Sequence, residues 1–123
     1  MATWRKSPPD LIALFDAAIP RDARVERRKM FGYPAAFTNG HLFAGLHQED
    51  FMVRLPEAVC DRLCESGEAR PFVAMGRRMR SYVLLSPEVL ADRKRLGRWI
   101  ADAIKHTATL PPKATRIRTT KRR

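Results

Sequence analysis

The chain has 123 residues, 45% hydrophobic and 30% charged, which is a globular mix at the size of one domain. No apolar run approaches the ~18 residues of a membrane span, and no apolar leader opens the chain, so composition argues against a secreted or membrane protein and for the cytoplasm. The 24 basic and 13 acidic side chains leave a formal net charge of +11, which makes polyanions the first partners to consider.

Ser7-Pro8-Pro9-Asp10 predicts a helix start, with Ser7 as cap, proline at the first helical position and Asp10 as the acid of a capping box. Leu11, Ile12, Leu14, Phe15, Ala18 and Ile19 then share one helical face, and Pro20 ends it. Residues 21–28 read as a charged connection. Met30 to Phe37 reads as one strand with an irregularity at Gly32 or Pro34. Pro34 cannot donate to a ladder, which predicts an edge or a bulge. Asn39-Gly40 predicts a tight hairpin, with His41 to Leu46 as the returning strand. Gln48-Glu49-Asp50 is a second turn, and Phe51 to Leu55 a third strand.

Pro56 opens a second helix that runs to about Glu65 and stops near Gly67, with Val59 and Leu63 buried. Pro71 to Ala74 and Met79 to Leu85 are the last two strands, around a turn at Gly76-Arg77-Arg78. In the second of them Met79, Ser81, Val83 and Leu85 face one way, and Arg80, Tyr82 and Leu84 the other. One continuous final helix would place Asp92 on the apolar face. Pro87 to Ala91 therefore reads as a separate turn, and Asp92 as the N-cap of a helix near 93–106. Leu96, Trp99, Ile100, Ala103 and Ile104 form its apolar side. Trp99, Phe15, Phe31 and Phe43 read as core aromatics, and Trp99→Ala is expected to cost roughly 3–5 kcal/mol.

These elements predict an α+β fold of two layers. Helices pack on an antiparallel five-stranded sheet in the order α-β-β-β-α-β-β-α. Residues 1–110 make the domain, and 111–123 a basic tail expected to be disordered in isolation.

The tail holds Lys113, Arg116, Arg118, Lys121, Arg122 and Arg123 and no acid, and the body is left with +5. The body is itself polarised: residues 31–70 carry six acids and three bases, and residues 71–110 eight bases and three acids. Arg77, Arg78 and Arg80 sit together on a predicted hairpin. Lys94, Arg95 and Arg98 sit on the exposed face of the last helix. Clustered cations of this kind neutralise phosphates and release counterions, which gives weak, non-specific DNA or RNA affinity. The competing reading is a solvated face that only keeps the chain soluble. Tyr33, Tyr82 and Trp4 have the chemistry to stack bases, but no basic-aromatic interleaving accompanies them.

Catalytic chemistry finds little support. Cys60 and Cys64 lie four apart on one predicted helix, with no further ligands of zinc spacing, and read as half-buried thiols. His41 and His47 could approach across the first hairpin with Glu49 or Asp50 as metal ligands, yet polar residues at a turn need no such role. There is no phosphate-cradling or nucleophile motif, because the six glycines are isolated. The expectation is no catalytic set, no metal and no cofactor.

Arg28-Lys29-Met30-Phe31-Gly32, then Asn39-Gly40-His41-Leu42-Phe43-Ala44, Arg70-Pro71-Phe72, Ser86-Pro87-Glu88-Val89-Leu90-Ala91-Asp92, Leu96 and Trp99-Ile100 together carry a resemblance. In this order they resemble the N-terminal domain of the TfoX/Sxy family, bacterial regulators of natural competence, over about residues 8–106. The resemblance implies an α+β fold like the secretion-chaperone-type domains, and a non-enzymatic regulatory or interaction role. The expected partners are another regulatory protein and, through the tail cations, DNA or RNA without sequence preference, with the oligomeric state open and a homodimer among the alternatives. The family's usual double glycine after Met-Phe is here Gly32-Tyr33. Full-length members of the family carry a second, C-terminal domain, and the expectation here is a stand-alone domain followed by a basic tail. A pure protein-binding module, with the tail serving only solubility, is the alternative.

Overall fold

Two-residue turns organise the first half of the chain. The computed structural model describes residues 7–74 and 76–111. Glu26–Met30 (β1) turns through Phe31 and Gly32 into Tyr33–Thr38 (β2). Asn39 and Gly40 lead into His41–His47 (β3), and Gln48 and Glu49 into Asp50–Arg54 (β4). Phe31 and Asn39 have φ of 55° and 53°, and Gly32 and Gly40 follow at 84° and 78°. Two consecutive left-handed residues make the type I′ turn, whose twist suits paired strands. Met30 to Phe37 is thus two strands and a turn rather than one irregular strand. The charged stretch 21–28 runs into β1 rather than remaining a connection. Among the described residues the sheet therefore has six strands, not five.

Ala69–Ala74 (β5) and Arg77–Leu85 (β6) complete it, each starting two residues before the expected position. The order is β1-β2-β3-β4-β6-β5, with every pairing antiparallel. Pro34 consequently lies on an internal strand and not at an edge. Met30 and Tyr33 close the first turn, and the ladder to β3 begins only at Ala35 and Gly45. The nitrogen of Pro34 faces β3 ahead of that ladder, so its missing N–H breaks no bond. The bulge sits further on, at Ala36 and Phe37, where β3 supplies one extra residue, Phe43. That extra residue lets Phe43 and Ala44 both enter the core.

Pro9–Ala18 (α1), Glu57–Ser66 (α2), Pro87–Ala91 (α3) and Arg93–Ala108 (α4) cover one face. Phe51, Val53 and Leu55 alternate toward that face along β4 and its exit, and Val53 pairs with Val83 of β6. Phe15 of α1 meets Phe51 at 5.4 Å between ring centroids. Leu96, Ile100, Ala103 and Ile104 of α4 and Cys60 and Leu63 of α2 close the same cluster. Among the described residues no helix is long and apolar enough to cross a membrane.

The helix ends follow their residues with one exception. Asp92 caps α4 by accepting from the N–H groups of Lys94 and Arg95 at 3.1 and 3.2 Å. Ser86 caps α3 through the Val89 N–H, which makes the expected turn a short helix. Gly67, at φ 83°, ends α2 in the left-handed conformation. Ser7 does not cap α1: Pro8 holds the N-cap position, and the Ser7 hydroxyl is buried without a hydrogen-bond partner.

Trp99 is only half-buried. It packs against the core along a cleft lined by Leu55, Pro56 and Val59. The expected loss for Trp99→Ala therefore falls from that of an enclosed aromatic to about 2 kcal/mol. Urea melts of the two proteins would measure it.

Candidate functional site

Strand pairing draws a single row across the face that the helices leave uncovered. Ala35 pairs with Gly45, Gly45 with Met52, and Met52 with Leu84, so β2, β3, β4 and β6 each contribute one residue. These four residues floor an apolar groove of about 510 Å³. Tyr33 and the Met30–Phe31 turn form one wall, Phe72, Val73 and Ala74 the other, and His47 and Asp50 one end. The floor is concave because two of its four residues are Ala and Gly. A Cβ on Gly45 would make ordinary contacts, 3.6 Å to Met52 Cε and 3.7 Å to Leu42 Cδ1. The glycine therefore leaves space rather than meeting a steric demand of the fold.

The walls are held from behind. Arg54 Nη1 donates to Tyr82 Oη at 2.8 Å, with its guanidinium 5.2 Å from the ring centroid. Tyr82 Oη donates to the Leu42 carbonyl at 3.3 Å, and the Phe72 ring meets Tyr82 edge-on at 6.1 Å. At the polar end the His47 ring lies 5.1 Å from Tyr33, and Arg70 Nη2 donates to Asp50 Oδ1 at 2.8 Å.

Phe31 stands apart from this order. Its side chain is 83% exposed, and Val73 on the opposite wall is 59% exposed. Phe31 also occupies a left-handed position that suits Asn or Gly, as the Asn39-Gly40 turn illustrates. A bulky residue there costs on the order of 1 kcal/mol in backbone strain. Here the ring recovers little of that by packing. Its expected place in the core is thus overturned.

The cations predicted from sequence are spread out. The ladder between β5 and β6 slips by three residues between the pairs Pro71–Val83 and Val73–Arg78. An odd slip exchanges the faces of a strand. The simple alternation expected from Met79 to Leu85 therefore breaks, and Arg78 and Arg80 reach toward α2. Arg78 pairs with Asp61 at 3.2 Å, and Arg80 with Glu57 and Asp61 at 3.5 Å each. Arg77 is exposed, with no carboxylate partner among the described residues. On α4, Arg95 is ion-paired to Glu68, which holds that carboxyl below its ordinary value. Lys94 and Arg98 are exposed. Lys113, Arg116, Arg118, Lys121, Arg122, Arg123 and Trp4 lie outside the described residues. The acidic and basic halves of the body thus fold partly onto one another, which sequence alone did not reveal.

The reactive side chains are dispersed. Cys60 is fully buried, with Sγ 3.5 Å from the Leu55 carbonyl, and burial pushes its thiol up to about 11. It is therefore protonated at neutral pH and a poor nucleophile. Cys64 is half-buried, with Arg78 Nη2 3.9 Å from its sulfur. His41 and His47 stand at opposite ends of β3, about 20 Å apart at the rise of an extended strand, so they do not form the pair considered from sequence. His41 Nε2 contacts the Pro111 carbonyl at 2.8 Å, and Asn39 Nδ2 donates to the Ala108 carbonyl at 3.0 Å. The Asn39-Gly40 turn thereby fastens the end of α4.

No curated protein matches the chain. The family model described as the TfoX N-terminal domain matches residues 19–107. That span takes in all six strands, the groove they floor and nearly all of α4, and by it the chain belongs to the TfoX N-terminal domain family.

Proposed function

We propose that this is a non-enzymatic, cytoplasmic regulatory domain that works by holding an apolar segment of a protein chain in the groove on its second sheet face. The observation that carries the reading is Phe31, exposed and left-handed at the rim of a buried apolar floor. Strain and exposure together at one side chain favour a contact made outside the fold. The dispersed thiols and histidines support the non-enzymatic part of the reading. Nucleic-acid contact enters as an ancillary function of the tail cations, joined by Arg77, Lys94 and Arg98. The ion pairs of Arg78, Arg80 and Arg95 weaken their claim to the same role. A part in competence regulation belongs to this proposal through the family alone.

Indole, which mimics an aromatic side chain, tests the groove. Titrated into isotope-labelled protein at low concentration, it should shift the signals of Ala35, Met52, Leu84 and Phe72 together. Shifts confined to the Trp99 cleft, or none at millimolar indole, would refute the reading.

A further inference from the structure

We infer that the cleft beside Trp99 binds single-stranded nucleic acid, with an unpaired base stacked on the indole and the flanking phosphates held by Arg62 and Lys105. This rests on the reading of the tail as a nucleic-acid contact and gives that contact a docking point on the folded body. The cleft, of about 390 Å³, runs between α2 and α4. Leu55, Pro56 and Val59 form its apolar floor, and Trp99 lines it from α4. Its volume is at the lower end of ligand clefts, which suits one nucleotide. No ring or guanidinium among the described residues stacks on Trp99. A half-exposed aromatic beside cations is the platform on which strand-binding proteins stack bases, and such stacking needs no particular sequence.

The charged side chains suit the same ligand. Arg62 of α2 and Lys105 of α4 line the cleft, both exposed and both without a carboxylate partner among the described residues. Arg78, Arg80 and Arg95, by contrast, are tied to Asp61, Glu57 and Glu68. Asp102 also lines the cleft and offsets one of its charges. His106 adds hydrogen bonding rather than charge, because burial and the neighbouring Arg54 hold it below its ordinary value. The tail restores the positive excess. Thr109 lines the same cleft, and Lys113, the first tail cation, follows it by four residues, so at most about 14 Å of extended chain separates them. A strand with one base in the cleft therefore has tail cations within reach of its backbone. Duplex bases are already stacked on both faces, whereas the tail can neutralise the phosphates of either form. The cleft thus adds recognition of single strands to the indifferent binding of the tail.

The test is fluorescence anisotropy of the full chain with labelled oligo(dT), oligo(rU) and duplex DNA of about a dozen residues, the two single strands separating DNA from RNA as the source. Trp99→Leu keeps apolar packing and removes the indole. It should weaken single-strand binding at least fivefold and leave duplex affinity and circular dichroism unchanged. Arg62→Gln combined with Lys105→Gln, both at exposed positions, should flatten the single-strand salt slope by about 1.4, at ~0.7 for each phosphate released. In Trp4→Phe, which leaves Trp99 as the one tryptophan, a saturating single strand should quench the tryptophan emission. Single-strand affinity that is unchanged in Trp99→Leu, or falls no more than duplex affinity, overturns the inference. If deleting residues 112–123 abolishes binding while Trp99→Leu changes nothing, the tail reading stands and the cleft falls. If the full chain binds no nucleic acid, both fall.

Discussion

Phe51→Ala should lower the free energy of unfolding by about 3–5 kcal/mol, the range for an enclosed aromatic cut to a methyl. Phe51 is fully buried on β4, near the middle of the sheet, where helix α1 lays Phe15 against it at 5.4 Å. Helix α4 also packs on β4, so the cavity would lie between the sheet and two helices. Rigid elements on every side leave little room for collapse, which places the cost at the upper part of that range. Urea unfolding followed by circular dichroism should show the midpoint falling by about 2 M or more for a domain of this size. Phe51→Leu, which keeps most of the volume, should lose less than half as much. A loss below ~1 kcal/mol in the alanine variant would mean that the two layers are loosely packed.

Deleting residues 112–123 should flatten the salt dependence of duplex DNA binding. The deletion removes Lys113, Arg116, Arg118, Lys121, Arg122 and Arg123 but keeps Pro111, whose carbonyl His41 contacts. Six cations neutralise at most six phosphates, and each contributes ~0.9 to the log–log slope, so the slope should fall by at most about five units. The body that remains carries +5, and several of its arginines are already paired with carboxylates. Its affinity at physiological salt should therefore be at least tenfold weaker than that of the full chain. Fluorescence anisotropy on both proteins measures slope and affinity together. Equal slopes would make the tail a bystander. Affinity absent from both would leave protein contact as the domain's whole function.

Much of the fold was legible because its signals are local. Asn39-Gly40, the polar turn at Gln48-Glu49, Pro56, Gly67 and Asp92 each carry turn or cap chemistry within a few residues, and the structure puts turns or helix ends there. The misplaced residues share a cause too. Phe31-Gly32 makes the same turn as Asn39-Gly40, but phenylalanine gives no turn signal, so two strands read as one. β1 is an edge strand of charged residues with little buried surface, so it lacks the alternation that reveals a strand. Pro34 misled in the other direction. Its restriction depends on where the neighbouring ladder begins, and that is a property of the pairing.

The groove was less legible than the fold. Its floor joins residues of four strands, and only the register brings Ala35, Gly45, Met52 and Leu84 into one row. Along the chain each looks like an ordinary apolar strand residue. The cations showed the reverse. Arg78 and Arg80 were conspicuous in sequence, but an odd slip in the β5–β6 ladder turns them toward carboxylates far along the chain. One signal for the groove did lie in the sequence: an aromatic residue directly before the glycine of a short turn.

If Phe31 is kept for contact beyond its own chain, the fold should be better off without it. The decisive quantity is the unfolding free energy of Phe31→Asn against the natural chain, measured at concentrations low enough to keep both monomeric. Asparagine suits the left-handed position, and the lost ring is 83% exposed, so stability should rise by about 1 kcal/mol. A fall of that size would show that the ring supports the fold, and would contradict the groove as the domain's working surface.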